Sequence, residues 1–139
     1  MNVNDVKSKV IEGDKLEFIF KTQKELLDKY LVIEGKNGIG LGMVKSVPVN
    51  LHDKIGQYVI KDYAWRITEE LGEAMNCLKN KPWKATHMQT DEVHFKEELI
   101  DAFHFFVELL LVAGVEDKDL VDYYHKKSEV NKFRQASNY

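Results

Sequence analysis

The chain is 139 residues long and 44% apolar, which is enough for one hydrophobic core and too little for two typical domains. Its 20 basic and 23 acidic residues give a net charge of -3, which argues against a general surface for nucleic acids or anionic membranes, because such surfaces need clustered positive charge. A single cysteine, Cys77, excludes an internal disulfide. With no signal-peptide pattern and no membrane-length apolar run, these features predict one soluble cytoplasmic domain over residues 1–139.

The first half of the chain is predicted to hold a polar lead-in (1–13), one helix and a glycine-rich connection. Apolar residues at helical spacing predict a helix over 14–30, with Gln23 as a polar residue inside it. Residues 34–50 hold four glycines within eight positions, so we expect no regular helix there but a connection or a subunit-contact loop. The segment Gly-Ile-Gly-Leu-Gly lacks the Lys-Ser/Thr of a phosphate-binding P-loop, and no clear strand precedes it.

Three further helices are predicted in the second half. One begins at Leu51 or Asp53 and ends near Asn80, before Pro82. The next runs from about 91 to 113 and the last from 117 or 119 to about 136. Four helices without a convincing strand predict an all-α helical bundle. On the first of these three helices the predicted buried side consists of Ile60, Ala64, Ile67, Leu71, Ala74, Met75 and Leu78.

Polar residues form a narrow stripe on the helix over 91–113. On a helical wheel they fall within an arc of about 120°, whereas nearly all other positions of that helix are apolar. The stripe consists of His94, Glu97, Glu98, Asp101, His104 and Glu108. Residues three apart share a helix face, so Glu98 and Asp101 point together, as do Glu70 and Glu73 on the preceding helix. The roughly ten-residue connection favours antiparallel neighbours, which would bring the two pairs together.

Three interpretations of these four carboxylates are open. Carboxylates about 4 Å apart repel by roughly 1 kcal/mol in water and about 4 kcal/mol at an effective dielectric constant of 20, so convergence requires a cation, and Mg²⁺ prefers such hard oxygen ligands. Alternatively, the charged arc is the solvated face of an ordinary surface helix. A di-iron site is the third interpretation, but it needs Glu-x-x-His from two helices, and the chain offers one approximate copy, Asp101-x-x-His104.

A basic stripe lies near the C-terminus. Residues 123–139 carry four basic residues against one Glu, and Lys127, Asn131 and Arg134 recur at i, i+4 and i+7. Such donors opposite a metal site would suit a polyphosphate, because Arg and Lys neutralise the phosphate oxygens that the metal leaves free. The alternative is that these cations only interact favourably with the C-terminal end of the helix dipole.

Together these motifs resemble the all-α nucleotide pyrophosphohydrolases of the MazG-type superfamily, and most closely the dimeric dUTP pyrophosphatase branch. The superfamily pattern is matched by Glu69-Glu70-x-x-Glu73 and Glu98-x-x-Asp101. The branch motifs are matched by Asp101-x-x-His104-Phe105, Trp83-Lys84 and Asn131-x-x-Arg134-Gln135-x-x-x-Tyr139. The chain departs from the family at Asn138, where a Gly is usual, and at Ser128, where an Asn is common.

The resemblance implies a homodimer or larger homo-oligomer that completes the bundle and hydrolyses dUTP to dUMP with Mg²⁺ and release of pyrophosphate. A second candidate substrate is dUDP, which would release phosphate, and Mn²⁺ is an alternative metal. It implies that the metal ligands are Glu70, Glu73, Glu98 and Asp101, with Glu70 also positioning or deprotonating the attacking water. It implies phosphate binding by Lys127, Asn131, Arg134 and Tyr139, and base or sugar binding by Gln23, Trp83 and His104. Hydrolysis of another nucleoside triphosphate such as dCTP stays open, as does a non-catalytic helical interaction module.

Overall fold

The computed structural model describes residues 1–138, and within that range it contains helices and no β-strand. Its four α-helices are α1 (Lys15–Asn37), α2 (Lys54–Cys77), α3 (Glu92–Val112) and α4 (Asp117–Ala136). Short 3₁₀ turns occur at Val3–Asp5 and Gly40–Met43. The predicted all-α class with four main helices is therefore confirmed. In the part of the chain described, no helix is both long enough and apolar enough to cross a membrane.

Aspartates fix where the first three α-helices begin. The Asp14 carboxylate accepts hydrogen bonds from the backbone N–H groups of Leu16 and Glu17 in α1, and the Asp53 carboxylate accepts one from Gly56 in α2. At the start of α3, Asp91 accepts from the backbone N–H of His94 at 3.0 Å. Gly114, at φ +85°, follows the C-terminal end of α3. These local signals explain why the predicted starts of these helices and the predicted end of α3 agree with the structure to within about three residues, whereas α1 runs to Asn37 and not to residue 30.

The glycine-rich segment differs from the prediction in its first part. α1 continues to Asn37 and includes Gly35, so the expectation that no regular helix enters residues 34–50 is wrong. Beyond Gly38 the chain does form a connection, and its 3₁₀ turn inserts the fully buried Leu41 into the core. At Gly42 a Cβ atom would lie 2.1 Å from the backbone oxygen of Glu34. Glycine thus lets the turn pack directly against α1.

α2 and α3 form the most extensive helix pair of the fold. The Tyr63 ring packs edge-on against Phe105, with ring centroids 6.4 Å apart, while Glu73 lies near Glu98. Residues later in α2 lie beside residues earlier in α3. The two helices are therefore antiparallel, as the short connection predicts. The buried core cluster beside this pair consists of Leu27, Leu41, Val49, Val59, Tyr63 and Val112.

The buried face of α2 is not the predicted one. Of the seven residues expected inside, only Ala74 is buried in the single chain, and Leu71, Met75 and Leu78 are exposed. The buried side of α2 instead contains Val59 and Tyr63. Apolar residues surround much of this helix, so their spacing alone does not select one face.

An ion-pair network joins α1 to α2 beside the core. The Arg66 guanidinium hydrogen-bonds to both carboxylate oxygens of Glu34 on α1 and to Asp62 one turn earlier on α2. It also lies 4.6 Å from the centre of the Tyr63 ring, a favourable cation–π geometry. Because Arg66 and Glu34 are each only about one-fifth exposed, removing one partner would leave the other charge largely buried and unpaired.

Candidate active site

The polar stripe of α3 faces inward at its centre and towards its C-terminal end. The Glu98 side chain is 9% exposed and Glu108 is completely buried. The apolar residues Ile100, Phe103 and Phe106 are instead about half exposed. This is the reverse of an ordinary surface helix, so the solvated-face interpretation is wrong for Glu98 and Glu108.

Three of the four predicted metal ligands converge. One carboxylate oxygen from each of Glu70, Glu73 and Glu98 lies within 4.8 Å of the other two. Glu70 and Glu73 share one face of α2 because they are three residues apart, and Glu98 approaches from α3. The fourth predicted ligand, Asp101, lies one turn beyond Glu98 and borders the same cavity as Glu70.

The convergence changes the protonation of Glu70. Partial burial raises the pKa of Glu70 to about 7, and a side-chain hydrogen bond with Glu98 and the negative charges of Glu73 and Asp101 act in the same direction. These surroundings therefore disfavour having all the carboxylates of the cluster negatively charged at once. Oxygen-only ligands with excess negative charge are the chemistry that suits a hard divalent cation such as Mg²⁺.

A cavity of about 210 Å³ opens beside the cluster, between α1, α2 and α3. Two of the residues predicted to bind base or sugar, Gln23 and His104, line this cavity together with Glu70 and Asp101. Its lining residues are Gln23, Leu26, Tyr30, Glu70, Asp101, His104, Phe105 and Glu108. Glu108 belongs to the predicted polar stripe, but no role at the site was predicted for it or for Tyr30. Their place in the cavity depends on how α1 packs against α3.

The other predicted site residues lie elsewhere in the single chain. Trp83 is in the loop after α2 and is 76% exposed, with the Lys81 ammonium 5.5 Å from the centre of its ring. Lys127, Asn131 and Arg134 are exposed on α4, which packs mainly against α1. Among residues 1–138, none from α4 lines the cavity beside Glu70. Tyr139 lies outside the described residues.

Comparison with known proteins gives one line of support for the class of reaction. The chain is similar to a dCTP pyrophosphatase of Enterobacteria phage LZ5, with 30% identity over 98 residues. The similarity covers 56% of this chain and 57% of the phage protein, so the chain spans little more than half the length of that relative. No family model matches the chain, and no solved structure matches it significantly.

Proposed function

We propose that the chain is a nucleoside triphosphate pyrophosphohydrolase that works with Mg²⁺, Mn²⁺ being the alternative metal. The observation that carries this proposal is the convergence of Glu70, Glu73 and Glu98 where α2 packs against α3, with Glu98 buried, Glu70 half-buried and Glu73 exposed. The similarity to a phage dCTP pyrophosphatase supports the same class of reaction.

The carboxylates of Glu70, Glu73, Glu98 and Asp101 would hold the cation. When bound, such an ion neutralises phosphate oxygens and lowers the pKa of a nearby water. Glu70 is the proposed residue that positions or deprotonates the attacking water. In the metal-free cluster the pKa of Glu70 is about 7, and a bound cation would lower it and leave a carboxylate that can accept a proton from water. Attack of water on phosphorus leaves a nucleoside monophosphate and releases pyrophosphate.

The proposed phosphate ligands are Lys127, Asn131 and Arg134, with Tyr139 beyond the described residues. They are proposed on donor chemistry, since Arg and Lys match phosphate oxygens in charge and in hydrogen bonding. We also propose that the protein acts as a homodimer. Apolar residues such as Met75, Phe103 and Phe106 are exposed on α2 and α3 in the single chain, and a second copy would cover such faces.

The proposed substrate is a pyrimidine deoxynucleoside triphosphate. The family motifs favour dUTP, with dUDP as a further candidate, whereas the phage relative is named for dCTP. Gln23 and His104 border the cavity beside the acidic cluster and offer polar groups to a base or a sugar. Trp83, exposed in the loop after α2, is proposed to stack on the base.

Pyrophosphate release from dUTP, dCTP, dTTP and dATP, with Mg²⁺ and with EDTA, tests the proposal. We expect Mg²⁺-dependent release that is fastest with dUTP or dCTP, and phosphate release from dUDP if it too is hydrolysed. Glu70→Gln and Asp101→Asn should lower the rate by about 100-fold or more, because each removes a carboxylate proposed to hold the cation, and Glu70→Gln also removes the proposed base. The control is Glu92→Gln, which alters an exposed acid on α3 paired with Lys96.

Two results would contradict the proposal. Absence of turnover with every nucleotide and either metal would indicate the non-catalytic helical module instead. Normal turnover by both Glu70→Gln and Asp101→Asn would remove the assignment of the site, even in an active enzyme.

A further inference from the structure

The cavity beside the acidic cluster has an open end and a closed end. At the open end, the Asp101 and His104 side chains are 46% and 51% exposed. At the other end, Gln23 and Glu108 are 5% and 0% exposed. The cavity therefore leads from the acidic cluster to a closed end at which two buried polar side chains lie, one from α1 and one from α3.

Both buried side chains have unused hydrogen-bonding atoms. Neither carboxylate oxygen of Glu108 has a hydrogen-bond partner within residues 1–138, and neither has the amide nitrogen Nε2 of Gln23. Burial raises the pKa of Glu108 to about 7, although the positive charge of Arg66 and the Gln23 side chain act in the opposite direction. Gln23 lies close enough to favour the charged form of Glu108 as a hydrogen-bond donor would, but the two side chains do not reach hydrogen-bond geometry. An unsatisfied buried polar group costs about 1–3 kcal/mol, so an apolar residue would serve the fold better here.

These atoms match the edge of a pyrimidine ring. A carboxylate oxygen accepts a hydrogen bond and an amide N–H donates one. Cytosine offers an amino N–H next to the ring acceptor N3, and uracil offers the N3–H next to the acceptor O4. The side chains of Leu26 and Phe105 add apolar walls to the same cavity, as the faces of a base require.

We propose that Glu108 is a specificity-determining residue, which accepts a hydrogen bond from an N–H at the pyrimidine edge while Gln23 donates to the neighbouring acceptor. This inference rests on the proposed function, because the triphosphate must lie at the acidic end for the base to enter the closed end. Cytosine and uracil share the required chemistry, and the experiment below distinguishes them.

Two variants and two substrate analogues provide the test. Glu108→Leu removes both acceptor oxygens but keeps a side chain of similar size, and Glu108→Gln keeps one acceptor oxygen. N3-methyl-dUTP lacks the N–H of uracil, and the triphosphate of 2-pyrimidinone deoxyriboside lacks the amino group of cytosine. A site that needs this hydrogen bond should reject the matching analogue by at least tenfold in kcat/KM, because its buried oxygen stays unpaired. The parent–analogue pair with the larger ratio identifies the base.

We expect Glu108→Leu to lose this discrimination and Glu108→Gln to keep most of it. The melting temperature of Glu108→Leu should equal or exceed that of the wild type, because no hydrogen bond to Glu108 is lost. An equal fall in kcat/KM for parent and analogue would indicate a merely structural role and overturn the inference. If Glu108→Leu does not fold, Glu108→Met, which also lacks acceptor oxygens, provides the same comparison, and unchanged discrimination in that variant would also overturn it.

Binding of dCMP and dUMP to the metal-free protein, measured by calorimetry, separates this inference from the proposed function. Glu108-dependent binding of one nucleotide without any triphosphate hydrolysis would support base recognition and reject the pyrophosphohydrolase. Mg²⁺-dependent hydrolysis with equal kcat/KM for each parent and its analogue would support the enzyme and reject the role of Glu108.

Discussion

One carboxylate oxygen of Glu70 and one of Glu98 lie within 4.8 Å of each other across the interface of α2 and α3. Two carboxylates this close are stabilised when one of them carries a proton, and the raised pKa of Glu70 is consistent with that state. Glu73 provides a third carboxylate, with an oxygen within 4.8 Å of the other two. A divalent cation would replace the shared proton, so metal binding and protonation compete at the same atoms.

The first prediction concerns the pH dependence of metal binding. With a pKa of about 7 for Glu70, the fraction of deprotonated carboxylate rises about tenfold between pH 6 and pH 8. The apparent affinity for Mg²⁺ should rise by a similar factor, with release of protons on binding. Calorimetric titrations in buffers of different ionisation enthalpy measure both quantities. Glu70→Gln should remove the pH dependence and Glu92→Gln should keep it, whereas a wild-type affinity equal at both pH values would contradict this prediction.

The second prediction concerns stability and pH at Glu108. Its folded-state pKa lies above the usual value, so its contribution to stability is complete below about pH 4.5 and is lost as the pH rises through about 7. Between pH 5 and pH 8 this loss should be on the order of 1–2 kcal/mol after allowance for solvent screening.

Urea unfolding of the wild type and Glu108→Leu in EDTA at the two pH values measures this contribution. Glu70 titrates in both proteins, so the difference between their pH dependences isolates Glu108. Between pH 5 and pH 8, the free energy of unfolding should fall more for the wild type than for Glu108→Leu. Parallel pH profiles would show that Glu108 does not titrate in this range.

The third prediction concerns the Arg66 network. Arg66→Met should lower the free energy of unfolding by about 2–4 kcal/mol, because it leaves the partly buried Glu34 and Asp62 without their cation. Lys96→Met is the matched control, since Lys96 pairs with Glu92 on the exposed surface and should contribute less than about 1 kcal/mol. Equal losses in the two variants would show that the network adds nothing beyond a surface ion pair.

Helical spacing was sufficient to predict part of the site. Glu70 and Glu73, like Glu98 and Asp101, are three residues apart, and this distance along a helix fixes their common face before any tertiary contact forms. The short connection between α2 and α3 then made an antiparallel pair the expected arrangement. Convergence of the acids near Glu98 follows from these two local facts.

The long-range packing of the helices against one another could not be predicted from the spacing of residues along the chain. α2 carries apolar residues on several sides, so the sequence did not show that Tyr63, rather than Leu71 or Met75, faces the core. The position of α4 against α1 likewise has no local signal. For the same reason Glu108 had no predicted role, because its cavity exists only where Gln23 of α1 comes near α3.

The last prediction concerns two glycines of the glycine-rich segment 34–50, one inside α1 and one in the turn that follows it. Gly35 lies within α1, and a Cβ there would meet no atom within 4 Å, so Gly35→Ala should stabilise the protein by about 0.5–1 kcal/mol through its higher helix propensity. A Cβ at Gly42 would instead collide with the backbone of Glu34 and push the turn that carries Leu41 out of the core. Gly42→Ala should therefore destabilise by about 1–3 kcal/mol, as overpacking does.

Thermal or urea unfolding of the two alanine variants measures these opposite effects. The comparison is matched, because both substitutions add one methyl group within the same eight-residue stretch and reduce the freedom of the unfolded chain alike. The difference between the free energies of unfolding of the two variants therefore reflects effects on the folded state alone. If Gly42→Ala were as stable as Gly35→Ala, the turn would not be held against α1, and the burial of Leu41 would need another cause.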